Sequence, residues 1–370
     1  MKYIYMFFIL IFCMSLNADI QITYQKYAGS TSLQTTSFDT HDYIKLSDVN
    51  TLFRSYSSEE IADSRLNLNL YGEQVVCLMN SPYVTYQGQV YNMELPPRIE
   101  NGCYYLPIEF IMNTLPRILP EQVKKQGNSI SIQKPVDNSI HTIVIDPGHG
   151  GKDPGAVGLN RTHESDVTLT LALMLKAMLE KELSVKVLLT RSTNDFVSLN
   201  DRTTFANESK ADLFISIHCN ASKARSAEGT EVYYLSTART TEARAVESME
   251  NDVVAKYEGG QNAVKKYDDL SFILSDMMQT EQLEESNALA QKLINNIVIA
   301  TTGLDHGVHQ AGFYVLRGAF MPAVLIETEY ISNPKCESKL TDPQYQEKLV
   351  KSIFYGIKSF KYQYDRIRNS

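Results

Sequence analysis

Three apolar runs, each delivering a residue that can bind a metal or move a proton, constrain this chain most. They are Val144-Ile145-Asp146-Pro147-Gly148-His149-Gly150-Gly151, Leu213-Phe214-Ile215-Ser216-Ile217-His218-Cys219-Asn220 and Pro322-Ala323-Val324-Leu325-Ile326-Glu327. Short, nearly continuous apolar stretches of this kind fit strands buried on both faces, as in a parallel sheet between helices. Such strands deliver side chains to one edge of an α/β sheet, where sites are usually built. From Thr142 onward strand and helix patterns alternate. Strands are expected at 142–146, 185–190, 213–217, 230–235, 312–316 and 323–327. Asp166 to Leu183 is apolar at helical spacing, with Asp166 as its expected N-cap. Further helices are expected at 287–300 and 344–362. The fold class is α/β, a mostly parallel six-stranded sheet with helices on both faces, spanning about residues 141–365.

The 370 residues are enough for two domains with separate cores. Met1 to about Ala18 reads as a secretory signal: Lys2, then an apolar stretch from Ile4 to Met14 too short to span a bilayer comfortably, then small and polar residues. The expected location is outside the cytoplasm, in a periplasm or cell wall, with the membrane met only through that segment. Residues 20–115 read as a small α+β domain. Leu66-Asn67-Leu68-Asn69-Leu70 alternates like a half-buried strand, and Tyr83 to Tyr91 reads as a hairpin turning at Gln87-Gly88. Residues 116–140 read as a linker carrying one strand at 129–133. The net charge of −8 leaves no broad basic surface, which argues against a nucleic-acid partner. Beyond the signal, Cys77, Cys103, Cys219 and Cys336 are widely spaced with no CxxC pair, so a cysteine zinc cluster is not expected. Cys77 and Cys103 are the pair that an oxidising compartment could bridge.

Two imidazoles and a carboxylate make a hydrolytic zinc site, and a second carboxylate can serve as its base. Alone, His149 would be read as a structural histidine in a glycine turn. Asp146, three residues upstream, is placed to accept the ring's other proton. A phosphate loop is excluded because Lys152 is followed by Asp153, where that loop needs Ser or Thr. Glu164 precedes the long helix, where an acid also suits the helix dipole; its neighbour His163 is a rival ligand. His218 ends a buried run, and the adjacent Cys219 should point the other way. A carboxylate at Glu327 is costly to bury without a partner, which a cation would supply. Glu329 is a weaker rival for that task.

Taken in order, these stretches resemble the zinc-dependent N-acetylmuramoyl-L-alanine amidases of the Amidase_3 family over roughly residues 142–360. The resemblance rests on Ile145 to Gly151 with Asp153-Pro154-Gly155-Ala156, on Leu189-Thr190-Arg191, and on Leu199 with Arg202 and Ala206-Asn207. It rests also on Ser216 to Ala221, and on Pro322 to Glu327 with Ser332-Asn333-Pro334. It implies one zinc ion held by His149, Glu164 and His218, with Glu327 as catalytic acid/base. The substrate it implies is peptidoglycan, cut between N-acetylmuramic acid and L-alanine of the stem peptide in wall remodelling or daughter-cell separation. Asp146, Arg191, Arg202 and Asn220 are expected around the metal or the substrate. Ser165 and Glu329 depart from the family pattern, which has lysine and glycine there. The first domain loosely resembles copper amine oxidase N-terminal-like modules and implies no copper; a spacer or wall-binding role is expected of it.

Residues 240–285 interrupt the strand–helix rhythm with a charged stretch read as two helices, 241–256 and 269–282. An insertion this long needs a purpose. It resembles the segment that, in some amidases of this family, covers the zinc until an activator, often of LytM type, displaces it. Glu250 first and Glu247 second are the residues expected to contact the metal from this cover. Two other readings stand beside the amidase: a zinc carboxypeptidase acting on wall peptides, and a catalytically inactive wall-binding protein.

Overall fold

The structure, a computed structural model, describes residues 19–60, 64–268, 271–301 and 304–368. The expected signal segment, 1–18, lies outside the described residues. The chain divides into two compact units, Met1–Asn138 with Asp365–Ser370, and Ser139–Tyr364.

The first unit runs β1 (Ile20–Tyr24), β2 (Ser30–Leu33), β3 (Thr35–Phe38), β4 (His41–Lys45), α1 (Leu46–Phe53), β5 (Tyr56–Glu60), β6 (Arg65–Leu70) and β7 (Glu73–Leu78). It continues with β8 (Tyr83–Tyr86), β9 (Gln89–Asn92), β10 (Arg98–Glu100), β11 (Cys103–Pro107), a π-helical turn (Phe110–Thr114), α2 (Leu115–Ile118), β12 (Val123–Gln126) and β13 (Ser129–Ile132). The alternation in β6 puts Leu66, Leu68 and Leu70 inside. The β8–β9 hairpin turns at Gln87 and Gly88, both with positive φ, as a two-residue turn matched to strand twist requires. The stretch expected as a linker is folded: β12 and β13 form a hairpin, and β13 pairs in parallel with β1. Its apolar residues Val123, Ile130 and Ile132 are buried in this unit's core, which a linker could not offer. Cys77 and Cys103 are free thiols, and Cys77 is buried.

The second unit contains β14 (Thr142–Pro147), α3 (Glu164–Glu182), β15 (Lys186–Leu189), α4 (Leu199–Glu208), β16 (Leu213–Asn220) and β17 (Thr230–Leu235). The helices α5 (Thr241–Tyr257), α6 (Gln261–Asp268) and α7 (Ser271–Thr301) follow, then β18 (Asp305–Ala311), β19 (Ala323–Tyr330), α8 (Pro334–Thr341) and α9 (Pro343–Arg368). Its six-stranded sheet has the order β15-β14-β16-β19-β17-β18, parallel except for the β17–β19 pair. Strand neighbours alternate between two cores. Ile143, Ile145, Ile215, Ile217 and Ile326 pack with residues of α3, α7 and α9. Val144, Phe214 and Leu325 pack with residues of α4 and α5. That double burial is why β16 is buried along its whole length and reads as a continuous apolar run.

Four expectations need correction. The strand expected at 312–316 is a turn, and the edge strand is β18 instead. The apolar residues Phe313, Val315 and Leu316 are buried in the core shared with α5 rather than paired in the sheet. The long helix starts at Glu164, with His163 in the N-cap position, not at Asp166. The second helix of the insertion and the helix at 287–300 are one helix, α7. Finally, β19 runs through Glu327 to Tyr330, so Glu327 lies within the strand.

Candidate metal centre

The sheet register sets His218 beside Glu327 on adjacent parallel strands. His149 follows β14 in left-handed backbone, φ 61°, a conformation non-glycine residues rarely adopt. Two buried arginines hold that turn. Arg202 donates to Asp146 Oδ1, to Pro147 O and to His149 O at 2.8–2.9 Å. Arg191 donates to Pro147 O, Gly148 O and Ser165 O at 2.7–3.0 Å. Both are buried and clamp the backbone of this loop from inside. At Gly148 a Cβ would fall 2.4–2.8 Å from the His218 ring, so only glycine lets the two histidines come together.

His149 Nε2, His218 Nδ1, Glu164 Oε1 and Glu250 Oε2 converge, all within 4.8 Å of one another. His149 Nε2 lies 3.1 Å from Glu164 and 3.4 Å from Glu250; His218 Nδ1 lies 3.2 and 3.1 Å from the same oxygens. A tetrahedron with arms of about 2.0–2.1 Å has edges of about 3.3–3.4 Å, the ligand spacing of a zinc site. His149 Nε2 is buried, faces these two carboxylates and makes no well-formed hydrogen bond to either. The donor set therefore fits a metal ion. Cys219 N–H and Ala156 N–H donate to Glu164 Oε1 and Oε2 at 2.9 and 2.8 Å, fixing that carboxylate.

His149 Nδ1 donates to Asp153 Oδ2 at 2.7 Å. The expectation that Asp146 orients this ring is thus wrong. Asp146 is buried on the sheet face covered by α4, where Arg202, Thr190 and Ser216 occupy it. Asp153 sits two residues past the glycines and four from His149, a spacing that was the available signal. Glu247 lies off the cluster and accepts from Gly312 N–H at 2.9 Å. His163 is half-exposed and outside the cluster. Glu329 is engaged by Lys339, Tyr345, Cys336 and Gly229. Asn220 donates to Glu231 at 3.2 Å, a buried acid opposite Glu327 that the sequence reading passed over.

Glu327 is fully buried and neither of its oxygens has a hydrogen-bond partner. Burial, with the charge of Glu250 next, pushes its carboxyl well above the usual range despite nearby His218. Burial opposes protonation of His149, yet Glu164, Glu250 and the Asp153 hydrogen bond outweigh it and push its pKa up to about 10. His218 is raised in the same way, with Glu250 the strongest counterweight to burial. Burial alone would raise Glu164; His149 and then His218 more than reverse it. Ligation needs both rings neutral at the ligating nitrogen, so a metal ion and protons compete for this cluster.

Residues 143–359 match the Amidase_3 family, described as N-acetylmuramoyl-L-alanine amidase. The chain is 34% identical over 246 residues to the N-acetylmuramoyl-L-alanine amidase AmiC of Escherichia coli, covering 66% of this chain and 57% of AmiC. It is 33% identical over 223 residues to AmiA of Escherichia coli, covering 60% of this chain and 77% of AmiA. Among solved structures, the catalytic domain of the amidase CwlV from Bacillus (Paenibacillus) polymyxa is 30% identical, covering 60% of this chain and 98% of that domain, with a TM-score of 0.44. The chain spans a little over half the length of AmiC and larger shares of AmiA and of the CwlV domain. With the match covering more than half of its residues, the chain belongs to the Amidase_3 family of N-acetylmuramoyl-L-alanine amidases.

Proposed function

We propose that this protein cuts the amide between N-acetylmuramic acid and L-alanine of the stem peptide, using one zinc ion held by His149, Glu164 and His218. The observation that carries this reading is the convergence of those three groups within one buried cluster, beside a carboxylate that has no partner of its own. When bound, zinc lowers the pKa of a coordinated water toward ~7 and polarises the scissile carbonyl. Glu327 accepts the proton from the attacking water and passes it to the leaving amine nitrogen. Its burial keeps that proton from exchanging freely with solvent. Asp153 holds the His149 ring so that Nε2 faces the metal. The family membership favours this reading over a zinc carboxypeptidase or an inactive wall-binding protein.

The same cluster supports a closed resting state. Glu250, on α5, is the fourth donor of the cluster and would compete there with a reacting water. An activator of LytM type would act by removing α5. We assign the first unit a spacer or wall-binding role, the export segment to residues 1–18, and the site of action to the periplasm or cell wall, where an amidase of this type would serve wall remodelling or daughter-cell separation. Among the described residues no helix is long and apolar enough to cross a membrane.

Incubation of the protein with peptidoglycan, with and without a chelator, followed by mass analysis of the fragments, tests the reaction. The expected products are intact stem peptides freed from muramic acid, lost on chelation. Release of single C-terminal residues would establish the carboxypeptidase instead. For the closed state, Glu250→Ala and deletion of 241–284 should both raise basal hydrolysis. Folded, zinc-loaded variants no faster than the parent would end the self-inhibition reading.

A further inference from the structure

Glu337 lies in α8, far along the chain from the metal cluster, yet it is only 1% exposed. Its carboxylate is spent on one hairpin. Asn160 N–H donates to both oxygens at 2.9 and 3.1 Å, Asn160 Nδ2 donates to Oε2 at 3.1 Å, and Thr162 N–H donates to Oε1 at 3.4 Å. That hairpin is closed by Gly158 N–H to Thr162 O at 2.9 Å and by a bridge between Val157 and His163. Its base grips Glu164 from two directions. Ala156 N–H donates to the Glu164 carboxylate at 2.8 Å, and Glu164 N–H donates to Ala156 O at 3.0 Å.

The hairpin has little apolar anchorage of its own, because Val157 and Leu159 are 47% and 54% exposed. Its shape must therefore come from polar contacts, and Glu337 collects those at the tip. A buried carboxylate is retained only where donors compensate its lost hydration. Here the donors belong to the segment that leads into a metal ligand. We propose that Glu337 is a positioning residue for Glu164, acting through the 156–163 hairpin to hold the carboxylate where zinc requires it. This rests on the reading of Glu164 as a zinc ligand. A metal site tolerates ligand displacements of only about 0.5 Å, so a loosened hairpin registers as weakened metal binding.

Two variants of the full chain disturb this contact from opposite sides. Glu337→Gln puts an amide nitrogen against the backbone donors. Gly158→Ala keeps the charge, but its Cβ would fall 2.3 Å from Glu337 Oε1 and 2.4 Å from Cδ, while its φ lies outside the left-handed region. Zinc affinity is read by competition with a chromophoric chelator, and amide hydrogen exchange is followed over 157–163. Each variant should weaken zinc binding about 10–100-fold and speed exchange in the hairpin. The double variant should be little worse than the poorer single, since both act through one contact. Zinc affinity within about twofold of wild type in folded Glu337→Gln, or losses that simply multiply in the double variant, would overturn the proposal. Should Glu337→Gln fail to fold, Gly158→Ala decides by the same affinity criterion. Wild-type protein that binds no zinc would overturn the metal reading itself, whereas zinc bound equally by wild type and variants overturns only the role of Glu337.

Discussion

The metal cluster has a floor and a cover, and they are held by different physics. The floor is strand-built: His149 follows the end of β14, and His218 and Glu327 ride on β16 and β19, between two apolar cores. Its turns are locked by buried charged groups, with Arg202 on Asp146 and Arg191 on consecutive carbonyls. The cover is the single helix α5, which puts Ala243, Val246, Val253 and Val254 into the second core and is pinned by side chains that borrow backbone partners. Glu247 takes Gly312 N–H, while Asn251 donates to Gly312 O at 3.1 Å and accepts from Tyr314 N–H at 2.8 Å. Glu258 at its end accepts from Leu199 N–H at 2.7 Å. Backbone pairing to neighbouring strands fixes the floor from both sides, whereas the cover is one helix docked through side chains on a single face.

The comparison can be broken at its strongest point first. Glu327→Gln should lower kcat by about 10²–10⁴ with zinc content unchanged, measured by turnover on sacculi and by metal analysis. Equal turnover would remove Glu327 from the chemistry. Next, Arg202→Met strands the buried Asp146 charge and should cost about 3–5 kcal/mol, read from urea unfolding. A loss near zero would mean that the floor is not held by its clamps. Asp153→Ala leaves the His149 ring unheld and should weaken zinc binding about 10–100-fold in chelator competition. The smallest effect belongs to the cover. Asn251→Ala removes hydrogen bonds of about 1 kcal/mol net and should raise basal hydrolysis roughly fivefold, with stability barely altered. Lower activity, or a large loss of stability, would show that α5 is part of the framework.

The floor was far more legible in the sequence than the cover. Strand runs buried on both faces print directly as unbroken apolar residues, so β14, β16 and β19 and their histidines and glutamate could be placed from residue types alone. Even there the partners were misread. Asp146 was expected beside His149 because of proximity in sequence, but this strand residue turns to the sheet face covered by α4, and the turn brings Asp153 back instead. The run 312–316 carries strand-like residues because it is buried beneath α5, not because it pairs. In α5 the sequence offered two glutamates, Glu247 and Glu250, one helical turn apart. Their types are identical, and only the docking angle of the helix separates an acid that joins the histidine cluster from one that holds the neighbouring loop.

By itself, the amino-acid order determined the α/β class, the strand ends that carry the site, and the chemistry of two imidazoles with buried carboxylates. It could do so because burial and side-chain type are local properties. The tertiary structure alone decided which carboxylate faces which ring, that residues 123–132 belong to the first unit's core, and that Glu337 reaches across to the hairpin before Glu164. Those are distances between segments remote in the chain, and they exist only once strand register and helix docking are fixed.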